Sequence, residues 1–129
     1  MKRLAWGLLL CAAAGRAADC PKAEEFAQAH LVGTWQASVE GAAPVSITLE
    51  KHPEFAETVR GFLERGGKRI ALAGDVDDGE LTLEESEDGK HISAAWLGDV
   101  VEGSCGREIR GTWKAEGAAA GHSFVMTRP

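Results

Sequence analysis

The sequence predicts an all-β protein, an eight-stranded antiparallel up-and-down barrel with a short N-terminal helix. Three observations carry that prediction. Short segments of alternating apolar and polar residues recur from Thr34 to Arg128, and a period of two marks a strand with one buried and one wet face. Tight turns at Gly66-Gly67, Asp77-Asp78-Gly79 and Glu87-Asp88-Gly89-Lys90 separate successive segments and join them as hairpins. Glycines recur inside the segments (Gly61, Gly74, Gly111), which weakens a flat sheet but suits a wall that bends sharply. A meander of hairpins that closes on itself leaves no exposed edge, which favours a barrel over a sandwich.

Each element has its own justification. Pro21 to His30 reads as a short helix, with Asp19 or Cys20 at the cap, Pro21 in the first turn, and Glu24 and Glu25 at the positive end of the helix dipole. Phe26, with Ala29 or His30, forms the face that packs onto the domain. Gly33 ends the approach, and the first strand buries Trp35, Ala37 and Val39. Pro44 to Glu50 buries Val45, Ile47 and Leu49. Residues 51–57 interrupt the alternation and form a loop. Thr58 to Arg65 is the third strand. Lys68 to Val76 follows, with Ile70, Leu72, Gly74 and Val76 on one face. Glu80 to Ser86 buries Leu81 and Leu83, and His91 to Leu97 buries Ile92, Ala94 and Trp96. A looser loop leads to Glu108–Glu116, which buries Ile109, Gly111, Trp113 and Ala115. Ser123 to Arg128 closes the chain with Phe124, Met126 and Arg128 on one face.

Residues 1–17 stand apart from this pattern. Lys2 and Arg3 precede an apolar run from Leu4 to Ala14, too short to span a bilayer, and small residues follow. This is the pattern of a secretory signal peptide, with cleavage expected before Ala18. Cys11 follows Leu10 rather than a small residue, which argues against lipidation. Residues 18–129 then form a single barrel domain, periplasmic or secreted, with a modest core. No later stretch is long enough for a membrane helix, so no membrane span is expected. The whole chain carries 14 basic and 20 acidic residues, a net charge of −6, and loss of Lys2, Arg3 and Arg16 with the leader takes it to about −9. A short acidic chain is a poor ligand for phosphate backbones, so no nucleic-acid partner is expected. The cysteines left after cleavage, Cys20 and Cys105, predict a disulfide in an oxidising compartment. Closing so long a loop stabilises by about 4–5 kcal/mol in the chain-entropy treatment.

Gly33-x-Trp35 on a first strand, preceded by a short helix, with Arg128 at the end of the last strand, resembles the calycin pattern of lipocalins, fatty-acid-binding proteins and avidins. The small barrel of secreted bacterial metalloprotease inhibitors is similar too, with an early Gly-x-Trp and one disulfide. The resemblance implies that Trp35 packs at the closed end of the barrel and that Arg128 lies across it.

Trp35, Trp96 and Trp113 fall on the predicted inner face with Phe124 and Met126. A barrel of this size either fills its interior or holds one small ligand. The expected function is therefore a non-enzymatic binding protein holding a small apolar or aromatic ligand against Trp96, Trp113, Phe124 and Met126. The indole N–H groups would need partners, with Ser93 or Thr127 as candidates. The alternative is a protein-binding module, such as an inhibitor of a secreted or host enzyme, working through loops 51–57 or 98–107 or through the acidic hairpins. Asp75, Asp77, Asp78 and Glu80 lack the spacing of a calcium loop and read as a hairpin. Glu84, Glu85, Glu87 and Asp88 read as a solvated acidic face. The four histidines are scattered singly, so no metal is expected. Ser104 lacks the GxSxG spacing of a nucleophile elbow. Neither enzymatic activity nor a cofactor is expected.

Overall fold

A computed structural model describes residues 20–129, and the expected leader lies outside the described residues. Eight strands form a closed barrel in chain order: β1 (Gly33–Val39), β2 (Val45–Lys51), β3 (Val59–Arg65), β4 (Lys68–Asp77), β5 (Glu80–Ser86), β6 (Ala94–Val100), β7 (Glu108–Ala115) and β8 (His122–Thr127). Every neighbouring pair is antiparallel, and β8 returns to β1 through Gln36 opposite Thr127 and Val39 opposite Phe124. The expected all-β up-and-down barrel is the observed fold. Because the strands alternate direction, one end collects the turns after β1, β3, β5 and β7. The other end collects the N-terminal segment and the turns after β2, β4 and β6.

The N-terminal segment departs from the expectation of one helix over residues 21–30. It forms a 3-10 turn at Ala23–Glu25, an extended break at Phe26 and Ala27, and a single helical turn, α1, at Gln28–Leu31. The break drives Phe26 and Leu31 into the barrel end, both buried, which one continuous helix would not do. Ala29 stays exposed and His30 turns its Nδ1 to the backbone N–H of Ala27.

The sixth strand also differs. It begins at Ala94, not His91, and runs on to Val100. Asp88 explains the late start. Its carboxylate accepts hydrogen bonds from the backbone N–H groups of Lys90 and His91, from the His91 ring and from Ser86 Oγ, and so wraps residues 86–91 into a turn. Ile92, expected inside, is therefore 44% exposed. Val100 takes up the inward alternation at the far end and is buried.

The interior is packed. Trp35, Ile47, Leu63, Leu83, Trp96, Ile109 and Met126 are wholly inaccessible and belong to one continuous cluster. The wall closes around this cluster by strand coiling. At Gly111, a Cβ would lie 2.0 Å from the carbonyl oxygen of Leu97, so the β6–β7 approach admits no side chain there.

The N-terminal segment closes its end of the barrel over Trp35. The indole N–H donates to the Leu31 carbonyl at 2.9 Å, and Phe26 meets the ring edge-on with centroids 6.3 Å apart. The Arg128 guanidinium lies 4.7 Å from the centre of the Trp35 ring and donates to the carbonyls of His30 and Val32. Gly33 leaves room for it: its φ is +127°, and a Cβ would lie 3.0 Å from Arg128 Nη2. Outside this plug, Cys20 and Cys105 are joined as a disulfide across 85 residues of sequence. Arg128→Ala removes a cation–π contact and leaves two carbonyls without their donor. It should cost about 2–3 kcal/mol in urea denaturation. Arg128→Lys, a point charge without the planar fork, should recover only part of that loss.

Candidate functional site

The open end is organised by a carboxylate. Alternation along β5 turns Leu81, Leu83 and then Glu85 inward, and Glu85 is only 1% exposed. Three side chains bind it. Arg65, at the end of β3, donates Nη1 to Oε1 at 2.9 Å and Nη2 to Oε2 at 3.0 Å. The Trp96 and Trp113 indole N–H groups both donate to Oε2, at 2.8 and 2.9 Å. Burial pushes the Glu85 carboxyl upward, but the Arg65 and Trp113 bonds, the Arg65 charge and the Trp96 bond outweigh it. Glu85 therefore sits below the ordinary glutamate value of 4.5. The Arg65 guanidinium also lies 5.4 Å from the centre of the Trp113 ring, so one cation holds both the acid and the aromatic at the rim.

Glu85 thus corrects two expectations. It does not belong to a solvated acidic face, and it, rather than Ser93 or Thr127, receives the indole N–H groups of Trp96 and Trp113. Thr127 is exposed, and Ser93 Oγ is buried without a protein partner. The period-two phase Leu81-Leu83-Glu85 was the available signal. The rest of the acidic run divides its roles: Glu84 points outward, Glu87 pairs with Lys68 at 3.0 Å, and Asp88 organises its turn.

The other expected site residues lie as follows. Trp96 and Phe124 pack edge to face at the barrel centre, 5.0 Å between centroids. Met126 is buried beside β1, opposite Ala37. Trp113 is half-buried at the open rim, its ring 6.2 Å from that of His122. The hollow at that rim, lined by Val39, Ala42, Ala43, Val45, Arg65 and Trp113, has a volume of about 40 Å³. That is room for a few water molecules. Both oxygens of Glu85 are engaged, Oε1 by Arg65 and Oε2 by Arg65, Trp96 and Trp113. Among the described residues no three His, Cys, Asp or Glu side chains converge as a metal site, and no helix is long and apolar enough to cross a membrane.

The opposite end carries an exposed phenyl ring. Phe55, in the loop between β2 and β3, is 62% exposed, and its loop is hydrogen-bonded. His52 N donates to the Thr58 carbonyl at 2.9 Å, and Thr58 N to the Phe55 carbonyl at 3.3 Å. His52 Nδ1 accepts from the N–H groups of Glu54 and Phe55, and its ring lies 4.7 Å from that of Phe55. Gln28 Nε2 donates to the Thr58 carbonyl and ties the loop to α1. A wider surface cleft of about 490 Å³ lies beside the disulfide, between Phe26, His30, Arg107 and Arg128. Cys20, the first described residue, forms part of its wall.

No protein-family model matches this chain, and no curated protein matches its sequence.

Removing Glu85 leaves Arg65 and two indole N–H groups without their acceptor, so Glu85→Ala should cost about 3–5 kcal/mol. Because the folded-state pKa of Glu85 is depressed, its contribution is complete above pH 4.5 and is lost as pH falls through the folded value. Unfolding measured between neutral pH and pH 3 should show this acid loss, and Glu85→Gln should flatten it.

Proposed function

We propose that this protein is an extracytoplasmic, non-enzymatic binding protein of the calycin type that engages a protein partner through its loops. The observation that carries this reading is the packed barrel: Trp96, Phe124 and Met126 occupy the space an internal ligand would need, and the rim hollow of about 40 Å³ is too small for an organic molecule. Phe55 supports it further. An exposed aromatic on a hydrogen-bonded loop loses little conformational freedom on docking, which is the character of an interface anchor. The Cys20–Cys105 bond supports an oxidising compartment.

The small-ligand reading has one observation in its favour: Trp113 is half-exposed beneath Arg65 at the open rim. Native mass spectrometry of protein recovered from the periplasm separates the two. The expected result is the bare chain mass. A discrete added mass would return the function to a ligand held at Trp113 and Trp96. For the protein-binding reading, Phe55→Asp should weaken retention of the partner captured by the unmodified chain by about 30-fold or more, with its melting temperature unchanged. Equal capture by both chains would remove the loop from the interface.

A further inference from the structure

A second surface, on the side wall of the barrel, points to a different partner. Leu97, in the middle of β6, is 54% exposed. The ladders on either side place its neighbours in three rows. Thr82 of β5 and Thr112 of β7 flank Leu97, Glu84 and Lys114 flank Ala95, and Glu80 and Arg110 flank Asp99. The outer face of β5 here carries only acids and threonine, that of β7 only bases and threonine, and the β6 line between them is apolar from Ala95 to Leu97. Shallow depressions of about 280 and 190 Å³ lie on the two sides of Leu97.

Three of the four flanking charges have no ion-pair partner within the described residues. Among the described residues Glu80, Glu84 and Lys114 form no ion pair, and Arg110 pairs only with Glu108 on its own strand. The acidic and basic lines are two strand spacings apart, roughly 9–10 Å, and no ion pair joins them across β6.

We propose that this face binds a second copy of the same chain about a two-fold axis running along β6. That axis lays Leu97 against Leu97 and places β5 of each copy over β7 of the other. Glu84 then faces Lys114 of the second copy, and Glu80 faces Arg110, each twice. The two-fold at right angles, across β6, would set Glu84 against Glu80 and Lys114 against Arg110. The charge pattern therefore selects one orientation and opposes the other. Asp99 meets its own copy near the axis with Arg110 of both chains beside it. The barrel walls curve apart on either side of β6, and long Glu, Lys and Arg side chains are suited to bridge that widening gap.

The footprint is three strands wide on a convex surface, well below the roughly 800 Å² per partner of a stable dimer. Each copy also carries a net negative charge. Association is therefore weak and concentration-dependent, on the order of 10–100 µM. This face lies on the side wall, apart from the Phe55 loop at the barrel end, so self-association and partner binding through Phe55 are independent of each other.

Sedimentation velocity from about 5 to 500 µM tests it, a range that brackets the expected constant. The unmodified chain should sediment faster as concentration rises. Leu97→Arg should remain monomeric, and Lys114→Glu and Glu84→Lys should each associate at least tenfold more weakly. Glu84→Lys is the sharper of the two, because it lowers the net negative charge and would strengthen any association governed by overall repulsion. An equimolar mixture of the two charge variants should recover dimers, since every acid of one then faces a base of the other. All three positions are exposed, and circular dichroism should show the barrel unchanged. A chain that stays monomeric to 500 µM, a Leu97→Arg variant that still dimerises, or a mixture no better than its components would each overturn the proposal.

Discussion

Glu85 sets the terms for the open half of the barrel. A barrel of eight strands is just wide enough inside for side chains, and a full negative charge there is costly unless an opposite charge and hydrogen-bond donors meet it. Arg65 and the indoles of Trp96 and Trp113 provide those donors from three other strands. The same bonds fix the rotamers of the two indoles, so Phe124 has a defined edge to pack against. The rim hollow takes its shape from Arg65, which cannot swing out without abandoning the carboxylate. The packed interior and the narrow rim hollow, which together favour a surface-binding function, both trace back to one buried acid.

The two ends of the molecule solve opposite problems. At the closed end a cation, Arg128, satisfies backbone carbonyls left by a short helical turn and stacks on Trp35. At the open end an anion satisfies side-chain N–H groups. In each case an arginine lies against an indole and also makes hydrogen bonds that orient it, so the aromatic contact comes with a fixed geometry. The plug at one end frees the neighbouring loop, residues 52–57, from any duty in closing the barrel. Phe55 is left outside the core with its backbone already ordered.

Much of this fold was legible in the residues. Alternation marks all eight strands, and the Gly66-Gly67 and Asp78-Gly79 turns pair β3 with β4 and β4 with β5, because period two and turn chemistry are local properties. The failures had non-local causes. The cap, Pro21 and the early acids Glu24 and Glu25 favour one helix over 21–30, but burial of Phe26 and Leu31 against the barrel end overrides that local preference. Ile92 looked internal by alternation until the Asp88 turn withdrew it from the ladder. Glu85 was the costliest miss: its phase said inward while its charge said outward. Only the positions of Arg65, Trp96 and Trp113, distant in sequence, decide between them. The expected role of Leu97 ended with its being the last residue of a strand. Its exposure became meaningful once the registers set acids on one flank and bases on the other.

The Cys20–Cys105 bond has a kinetic meaning beyond its position at the closed end. A meander assembles through local hairpins until its final step, in which β1 must find β8, with Gln36 opposite Thr127. That search spans nearly the whole chain and is the slow, entropy-limited event of such a topology. Cys20 precedes β1 and Cys105 precedes β7, so an oxidised chain holds the first strand close to the last hairpin before the seam exists. The long search shrinks to the motion of two short arms about a fixed point. Closing the seam early also shortens the time during which β1 and β8 are unpaired edges open to other chains.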